Sequence, residues 1–386
     1  MLLKSKIVCP RVKEIVSTIH DIKAEINLNV VGRIAETEAI LLAIMSKNHV
    51  LMQGPPGVAK SYLAQCVFEH FKDAEVFNIQ CTKRTSENAI IGPPNTAILR
   101  DEGRFWYNTE SMMPECDMAF VDEIMDLSDD ALRSMLSMLN ERKLIKGPQQ
   151  IDCPLWSAVT TTNFNRDDEE SLAAVYDRFL FRINVKPLGS KSARMELLKM
   201  QRHEPTKFLS MGDLEFFYER AKKVTVPEAV LEAYIDILSS MEVTDRKAKK
   251  ALEVLQVRAL AGLRSEVRME DLAILSNCLA VLNDSASMAN YLTAYKRSGV
   301  DSLIQAEVHA REDKSIARQV RSLDRSVRDL LDEDVKPTYS EVEELAGSLN
   351  AAVKVYKDTC ANLDVSLVEK VEYTLTLVDG VYNGEL

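Results

Sequence analysis

The stretch Gly54-Pro55-Pro56-Gly57-Val58-Ala59-Lys60-Ser61 decides how this chain is read. It follows a short apolar run, Val50-Leu51-Met52, and opens an amphipathic stretch that starts at Tyr62-Leu63-Ala64 and continues to Phe68. Strand, glycine-rich turn and helix, in that order, are the setting in which such a loop cradles phosphates. Backbone N–H groups at the turn and the helix start point at the anion, and the helix dipole favours its charge. Lys60 offsets charge on the β and γ oxygens, and the Ser61 hydroxyl is a ligand for Mg²⁺. Gly54 through Ser61, with Tyr62 behind them, are the expected nucleotide contacts. Ala59 stands where Gly usually precedes the lysine; its N–H is retained, so binding is expected to survive. The bland alternative is a Pro/Gly turn beside a surface lysine.

Downstream, Met118-Ala119-Phe120-Val121-Asp122-Glu123 is an apolar run ending in two carboxylates, the form of a buried parallel strand. Ligands gather at the carboxyl ends of strands in open α/β sheets, so these acids can meet the loop. Asp122 is expected to hold the metal through its water shell, and Glu123 to orient and deprotonate an attacking water. The competing reading is an Asp-Glu pair capping a helix over 124–139. A third strand, 156–162, ends at Asn163, whose amide can reach a γ-phosphate or the lytic water; alone it would be a turn-forming Asn.

In this order, Gly-Pro-Pro-Gly-x-Ala-Lys-Ser, Val-Asp-Glu-Ile, Thr-Thr-Asn and Tyr-Asp-Arg-Phe resemble the MoxR family of AAA+ ATPases. The loop alanine and Val175-Tyr176-Asp177-Arg178-Phe179-Leu180-Phe181-Arg182 resemble its RavA branch. The resemblance extends over roughly the first 285 residues. It implies an α/β fold: an αβα nucleotide-binding domain, an all-helical lid and here a helical C-terminal extension. It also implies Arg178 as an arginine finger reaching a neighbouring subunit's γ-phosphate, with Arg182 the competing candidate. A guanidinium there offsets charge that develops during phosphoryl transfer. Val30-Val31-Gly32-Arg33 resembles the segment packed on the adenine, which makes Val31 and Gly32 nucleotide contacts. Thr244-Asp245-Arg246-Lys247 resembles the opening of a lid helix with Arg246 as second sensor, although Asp replaces the usual Pro.

Two insertions fit the same family. One runs from Ile90-Ile91-Gly92-Pro93-Pro94 to Phe105-Trp106-Tyr107 and holds the turn-like Asp101-Glu102-Gly103-Arg104, where a hairpin interrupting a helix is expected. The other, Leu144-Ile145-Lys146-Gly147-Pro148 to Ile151, is expected as a second hairpin. Both are candidates for handling a client, with ordinary packing the alternative for the three aromatics.

Composition agrees with a globular ATPase. The 386 residues are 46% hydrophobic and 28% charged, enough for two or three domains. No apolar run approaches a membrane span. Lysines at positions 4 and 6 interrupt any signal-peptide core, and seven cysteines without a Cys-x-x-Cys pair indicate free thiols in a reducing, cytoplasmic setting. Five scattered histidines give no zinc spacing, so the metal inferred is nucleotide-bound Mg²⁺. A net charge of −11 argues against general nucleic-acid binding.

The expected organisation is an N-terminal helix over 1–26, the nucleotide domain over 27–186, the lid over 187–285 and the extension over 286–386. Lid helices are expected near 192–202, 211–222, 227–240, 246–263 and 269–282. In the extension, Arg311, Lys314, Arg318, Arg321, Arg325 and Arg328 recur at spacings of three and four, which sets them along one helix face. That face is either solvated or a docking strip for an acidic partner or a phosphate backbone.

These readings lead to an ATP-hydrolysing homo-oligomeric ring, a hexamer by resemblance, that remodels a protein partner. The resemblance implies a partner bearing a von Willebrand factor A domain. The alternatives are a nucleotide-gated assembly scaffold and, against the acidic balance, a DNA-acting motor.

Overall fold

In a computed structural model, residues 7–163, 175–241, 243–282, 284–297, 316–328, 339–359 and 365–383 are described. The chain divides into two compact units, Met1–Ser298 and Gly299–Leu386.

The first unit is organised around a parallel sheet built from short apolar runs. Its strands are β1 (Val50–Gln53), β2 (Val76–Gln80), β3 (Met118–Asp122), β6 (Ser157–Thr162), β7 (Phe181–Asn184) and β8 (Val281–Leu282). The spatial order is β2-β3-β6-β1-β7-β8. β1 and β6 are buried along their whole length, as central strands covered on both faces must be. β2, at the edge, alternates between buried and exposed positions. Register places Gln53 between Thr162 and Asn184, and Gln80 opposite Asp122. The carboxyl ends of β1, β3 and β6 therefore open on one edge of the sheet, where the functional residues follow.

Helices cover the sheet. α1 (Pro10–Asn29) starts with Pro, whose missing N–H costs nothing at a helix start, and buries Val12, Ile15, Val16, Ile22 and Ile26. α2 (Ile34–Met45) is buried continuously from Ala39 to Met45, and α3 (Lys60–Phe68) leads out of the phosphate-type loop. Between the strands lie the short helices α4 (Asn88–Ile91) and α5 (Thr96–Glu102), and then α6 (Asp129–Glu141). One face of α6, with Ala131, Met135, Met138 and Leu139, completes a core with Leu51, Ala119, Val121 and Ala158. The antiparallel hairpin β4 (Lys143–Lys146) and β5 (Gln149–Asp152) follows as expected.

Several expectations require correction. The run 124–139 is not one helix: Ile124–Asp126 is a 3₁₀ turn, and α6 begins only after Ser128, whose hydroxyl accepts from the Ala131 N–H. The segment 90–107 is a loop carrying α5 rather than a hairpin. Asn95 caps that helix by accepting from the Ala97 and Ile98 N–H groups, Gly103 ends it at φ 66°, and a single antiparallel bridge, Pro94 to Tyr107, closes the base. The final lid element is a 3₁₀ run, Met269–Asn277, and β8 then joins the sheet through Arg182 and Ile183. The helix Ser285–Arg297 belongs to the first unit, so that unit runs past residue 285.

The lid helices are Lys191–Lys199, Met211–Ala221, Glu228–Ser239 and Asp245–Ala261. In the second unit, residues 316–328 and the helices Tyr339–Thr359 and Val365–Asn383 share a core around Val320, Val327, Val353 and Val371. Arg318, Arg321 and Arg325 are exposed there, while Arg311 and Lys314 lie outside the described residues. Among the described residues no helix is long and apolar enough to cross a membrane.

Candidate functional site

The loop Gly54–Ala59 links β1 to α3, so α3 begins at the carboxyl edge of the sheet. Gly54 is required by packing: a Cβ there would stand 2.3 Å from the Val185 carbonyl oxygen. Gly57 takes the left-handed conformation at φ 79°. Ala59, immediately before α3, is left-handed as well, at φ 67°. The alanine therefore preserves the backbone geometry a glycine would adopt, at the steric cost a Cβ carries in that region.

Lys60 is buried and its ammonium is fully engaged. It donates to the carbonyls of Gly54 at 2.7 Å and Pro55 at 3.1 Å, and to Asn163 Oδ1 at 2.7 Å. Burial pushes its pKa down, and the nearby Glu123 and Asp122 carboxylates push the other way. Beside it, Ser61 Oγ donates to Asp122 Oδ2 at 3.2 Å. The second Asp122 oxygen accepts from Thr161 Oγ1, and that hydroxyl in turn accepts from the Glu123 N–H at 3.2 Å. Glu123 is left-handed at φ 58°, which turns its side chain away from the strand direction toward Asn163. The Asn163 N–H donates to Glu123 Oε2 at 3.0 Å, and the Asn163 side-chain amide donates to Oε1. Lys60, Ser61, Asp122, Glu123 and Asn163, read separately in the sequence, form one connected network.

A cavity of ≈ 260 Å³ opens on the other side of the loop, lined by Val31, Gly57, Val58, Ala59, Tyr62, Leu188, Leu197 and Met200 among others. It has the size and apolar character a base requires, with Val31 and Tyr62 on its walls. Pro56 belongs to the same loop and is exposed. Gly32 sits at φ 69°, and a Cβ there would meet Leu188 Cδ2 at 2.8 Å. The buried Arg33 donates to the carbonyls of Val58 at 3.3 Å and Lys186 at 2.6 Å. This arginine ties the Val30–Arg33 segment, the loop and the exit of β7 together.

Arg178 and Arg246 stand elsewhere. Phe181 pairs with Val50 at the beginning of β1, so Arg178 lies at the amino edge of the sheet, opposite the loop that follows Gln53. Its guanidinium approaches Asp177 at 3.7 Å. Arg182 stacks on the Tyr176 ring, 4.2 Å from the centroid. Arg246 donates to Asn140 Oδ1 at 3.3 Å, at the end of α6. The structure therefore does not bring Arg246 to the nucleotide loop of its own chain. The reason is where the lid packs: the helix Asp245–Ala261 starts against α6 and the 175–178 turn rather than over the loop.

Two participants had weak signals in the sequence. Thr161 was hidden in a Thr-rich run that reads as ordinary strand chemistry, and Arg33 appeared only as a charged residue after a loop glycine. Cys81, close to the acids, has its thiol pushed up to about 12, first by burial and then by Asp122, Asp126 and Glu123, so it stays a protonated bystander. Among the described residues no cluster of His, Cys, Asp and Glu could hold a metal by itself.

Residues 17–208 match a family model described as the MoxR domain of MoxR-vWA-beta-propeller ternary systems, and residues 230–288 match an AAA lid domain. An uncharacterised protein of Methanocaldococcus jannaschii is 31% identical over 268 residues, which covers 68% of this chain and 70% of that protein. The chaperone MoxR1 of Mycobacterium tuberculosis is 30% identical over 220 residues, or 55% of this chain and 57% of its own length. A crystal structure from Cytophaga hutchinsonii, described as that of a putative ATPase, superposes with a TM-score of 0.55 at 18% identity, covering 76% of this chain and 96% of that one. Joined to the phosphate-type loop, the acid pair on β3, the asparagine after β6 and the helical lid, these matches make the chain a member of the MoxR family of AAA+ ATPases.

Proposed function

We propose that this chain hydrolyses ATP as part of a homo-oligomeric ring, a hexamer in the reading we favour, and uses the cycle to remodel a protein partner. The observation that carries the proposal is the link Lys60–Asn163–Glu123, in which the Asn163 side-chain amide accepts from the phosphate-binding cation through Oδ1 and donates to the general base through Nδ2. Lys60 holds the triphosphate by its β and γ oxygens, while Val31, Gly32 and Tyr62 face the base. Asn163 positions a water, Glu123 takes its proton as the oxygen attacks the γ phosphorus, and the bond to the β-phosphate breaks to leave ADP. Ser61 and Asp122 supply the hard oxygen donors that Mg²⁺ favours, and Mg²⁺ bound there would neutralise charge on the β and γ oxygens. Arg178, on the far edge of the sheet from its own loop, serves the nucleotide of the adjoining subunit.

The partner class comes from the family: the description of the matching model names a vWA component, and MoxR1 is called a chaperone. The loop alanine and the run Val175–Arg182 support a place near the RavA branch, and the composition supports a cytoplasmic setting. The hairpin β4–β5 and the 92–107 loop are the proposed client-facing elements. Gln149, buried on the hairpin, accepts from the Tyr107 N–H at 2.8 Å and donates to the Tyr107 carbonyl at 3.0 Å, which joins the two insertions. Exposed Phe105 and Ile145 supply apolar contacts on them.

Steady-state turnover of the purified chain against its Glu123→Gln variant tests the proposal. Turnover should fall at least about 100-fold in the variant with ATP affinity retained. Equal turnover in the two proteins would favour the nucleotide-gated scaffold instead.

A further inference from the structure

The helical residues 175–178 end in Arg178, and they are fixed by Val175, Tyr176 and Phe179, all buried. Asp177, next to the arginine, faces two ways. Its Oδ2 is 3.7 Å from Arg178 Nη1. Its Oδ1 accepts from Thr244 Oγ1 at 3.3 Å and lies 3.5 Å from Lys247 Nζ. Thr244 is the residue that caps the lid helix Asp245–Ala261, with its side chain accepting from the Lys247 N–H. One carboxylate therefore joins the start of a lid helix to the arginine at the sheet's amino edge. Arg178 is otherwise lightly held, because its Nε is buried with no hydrogen-bond partner among the described residues. A guanidinium with a single long ion pair among the described residues can be drawn to a stronger anion without breaking a network.

We propose that Asp177 is a positioning residue that fastens the Arg178 turn to the lid, so that the lid of one subunit sets the arginine offered to the next. This rests on the reading that Arg178 acts on a neighbour's nucleotide. Leu197 and Met200, from the lid side, line the base cavity of the same chain. Occupancy of a subunit's own site thus has a path, through lid and Asp177, to hydrolysis in the adjoining one.

The test mixes subunits. Asp177→Asn should lower kcat about tenfold while leaving the KM for ATP within about twofold, since its own loop is untouched. Lys60→Ala subunits are inactive alone but carry an intact Asp177 and Arg178. Adding them to Asp177→Asn subunits should restore turnover, because the defect lies in what is handed to the neighbour. A merely structural defect in the Asp177→Asn subunit would not be repaired in this way. Lys247→Met, which leaves Asp177 in place, should reproduce the same pattern if Asp177→Asn folds poorly. Arg178→Ala mixed with Lys60→Ala is the reference. Recovery of the reference without recovery of either latch variant overturns the role of Asp177, as does normal turnover in both variants. Failure of the reference itself removes the finger reading and the latch with it.

Discussion

Asn163 holds Glu123 with two hydrogen bonds, one from its backbone N–H at 3.0 Å and one from its side-chain amide, while its side-chain Oδ1 accepts from Lys60 at 2.7 Å. The Asn163 side chain thus spans Glu123 and Lys60, the base and the phosphate-binding cation of the proposed mechanism. Asn163→Ala should leave ATP binding within about threefold and lower kcat about 100-fold, because a misoriented base costs that order in rate. Asn163→Asp should be worse for binding, since it sets a third carboxylate beside Asp122 and Glu123. Nucleotide titration together with initial rates separates the two effects.

Ala59 offers a test of backbone strain. Its left-handed φ of 67° is one that glycine adopts freely. Ala59→Gly should therefore stabilise the folded chain by about 1 kcal/mol and keep nucleotide binding, whereas Ala59→Val should destabilise it by more. Denaturant midpoints of the three proteins check the order.

Lys250 should make stability depend on pH. Burial first, then the Arg142 and Arg246 charges, pull its pKa down to about 8 from 10.5. Between those values the unfolded chain binds more protons at this site than the folded chain, so its contribution to stability rises with pH across that window. Lys250→Met removes the contribution. The difference in unfolding free energy between wild type and variant should move in favour of wild type from pH 8 to pH 10, and a flat difference would contradict the assignment.

In the second unit, Asp324 is 4% exposed and accepts from Thr374 Oγ1 at 2.6 Å and from Arg328 Nε at 3.3 Å. Removing one member of a buried charged network leaves the rest uncompensated. Asp324→Ala should weaken this unit by about 3 kcal/mol, with faster hydrogen exchange across the helix Val365–Asn383. Exchange at Val50–Gln53, in the other unit, should stay unchanged.

The network around Lys60 was legible because its members sit at strand ends or in the loop that follows one: Lys60 and Ser61 after the glycine-rich loop that leaves β1, Asp122 closing β3 with Glu123 next to it, and Asn163 after β6. Such local signals place residues at the carboxyl edge of a sheet without any knowledge of how helices pack. Arg246 was not legible in this way. Its surroundings depend on where the lid helix docks, which is a long-range packing outcome, and it meets Asn140 instead of the loop. Thr161 and Arg33 were hidden for a different reason, since hydroxyls in strands and arginines after glycines are ordinary features. In 90–107, the cap at Asn95 and the stop at Gly103 were both present in the sequence, but the Asp-Glu-Gly-Arg turn favoured a hairpin reading over a seven-residue helix.

The strand Val281–Leu282 changes what the lid can do. The chain leaves the sheet after Asn184 in β7 and comes back beside β7 itself, pairing with Arg182 and Ile183. A flap with a single tether could swing in any direction. A segment stitched at both ends into adjacent strands is hung like a gate on two hinges, and is expected to turn about the line joining them more easily than about any other axis. Under the proposed ATP cycle, this double tether would confine lid movement to one kind of stroke.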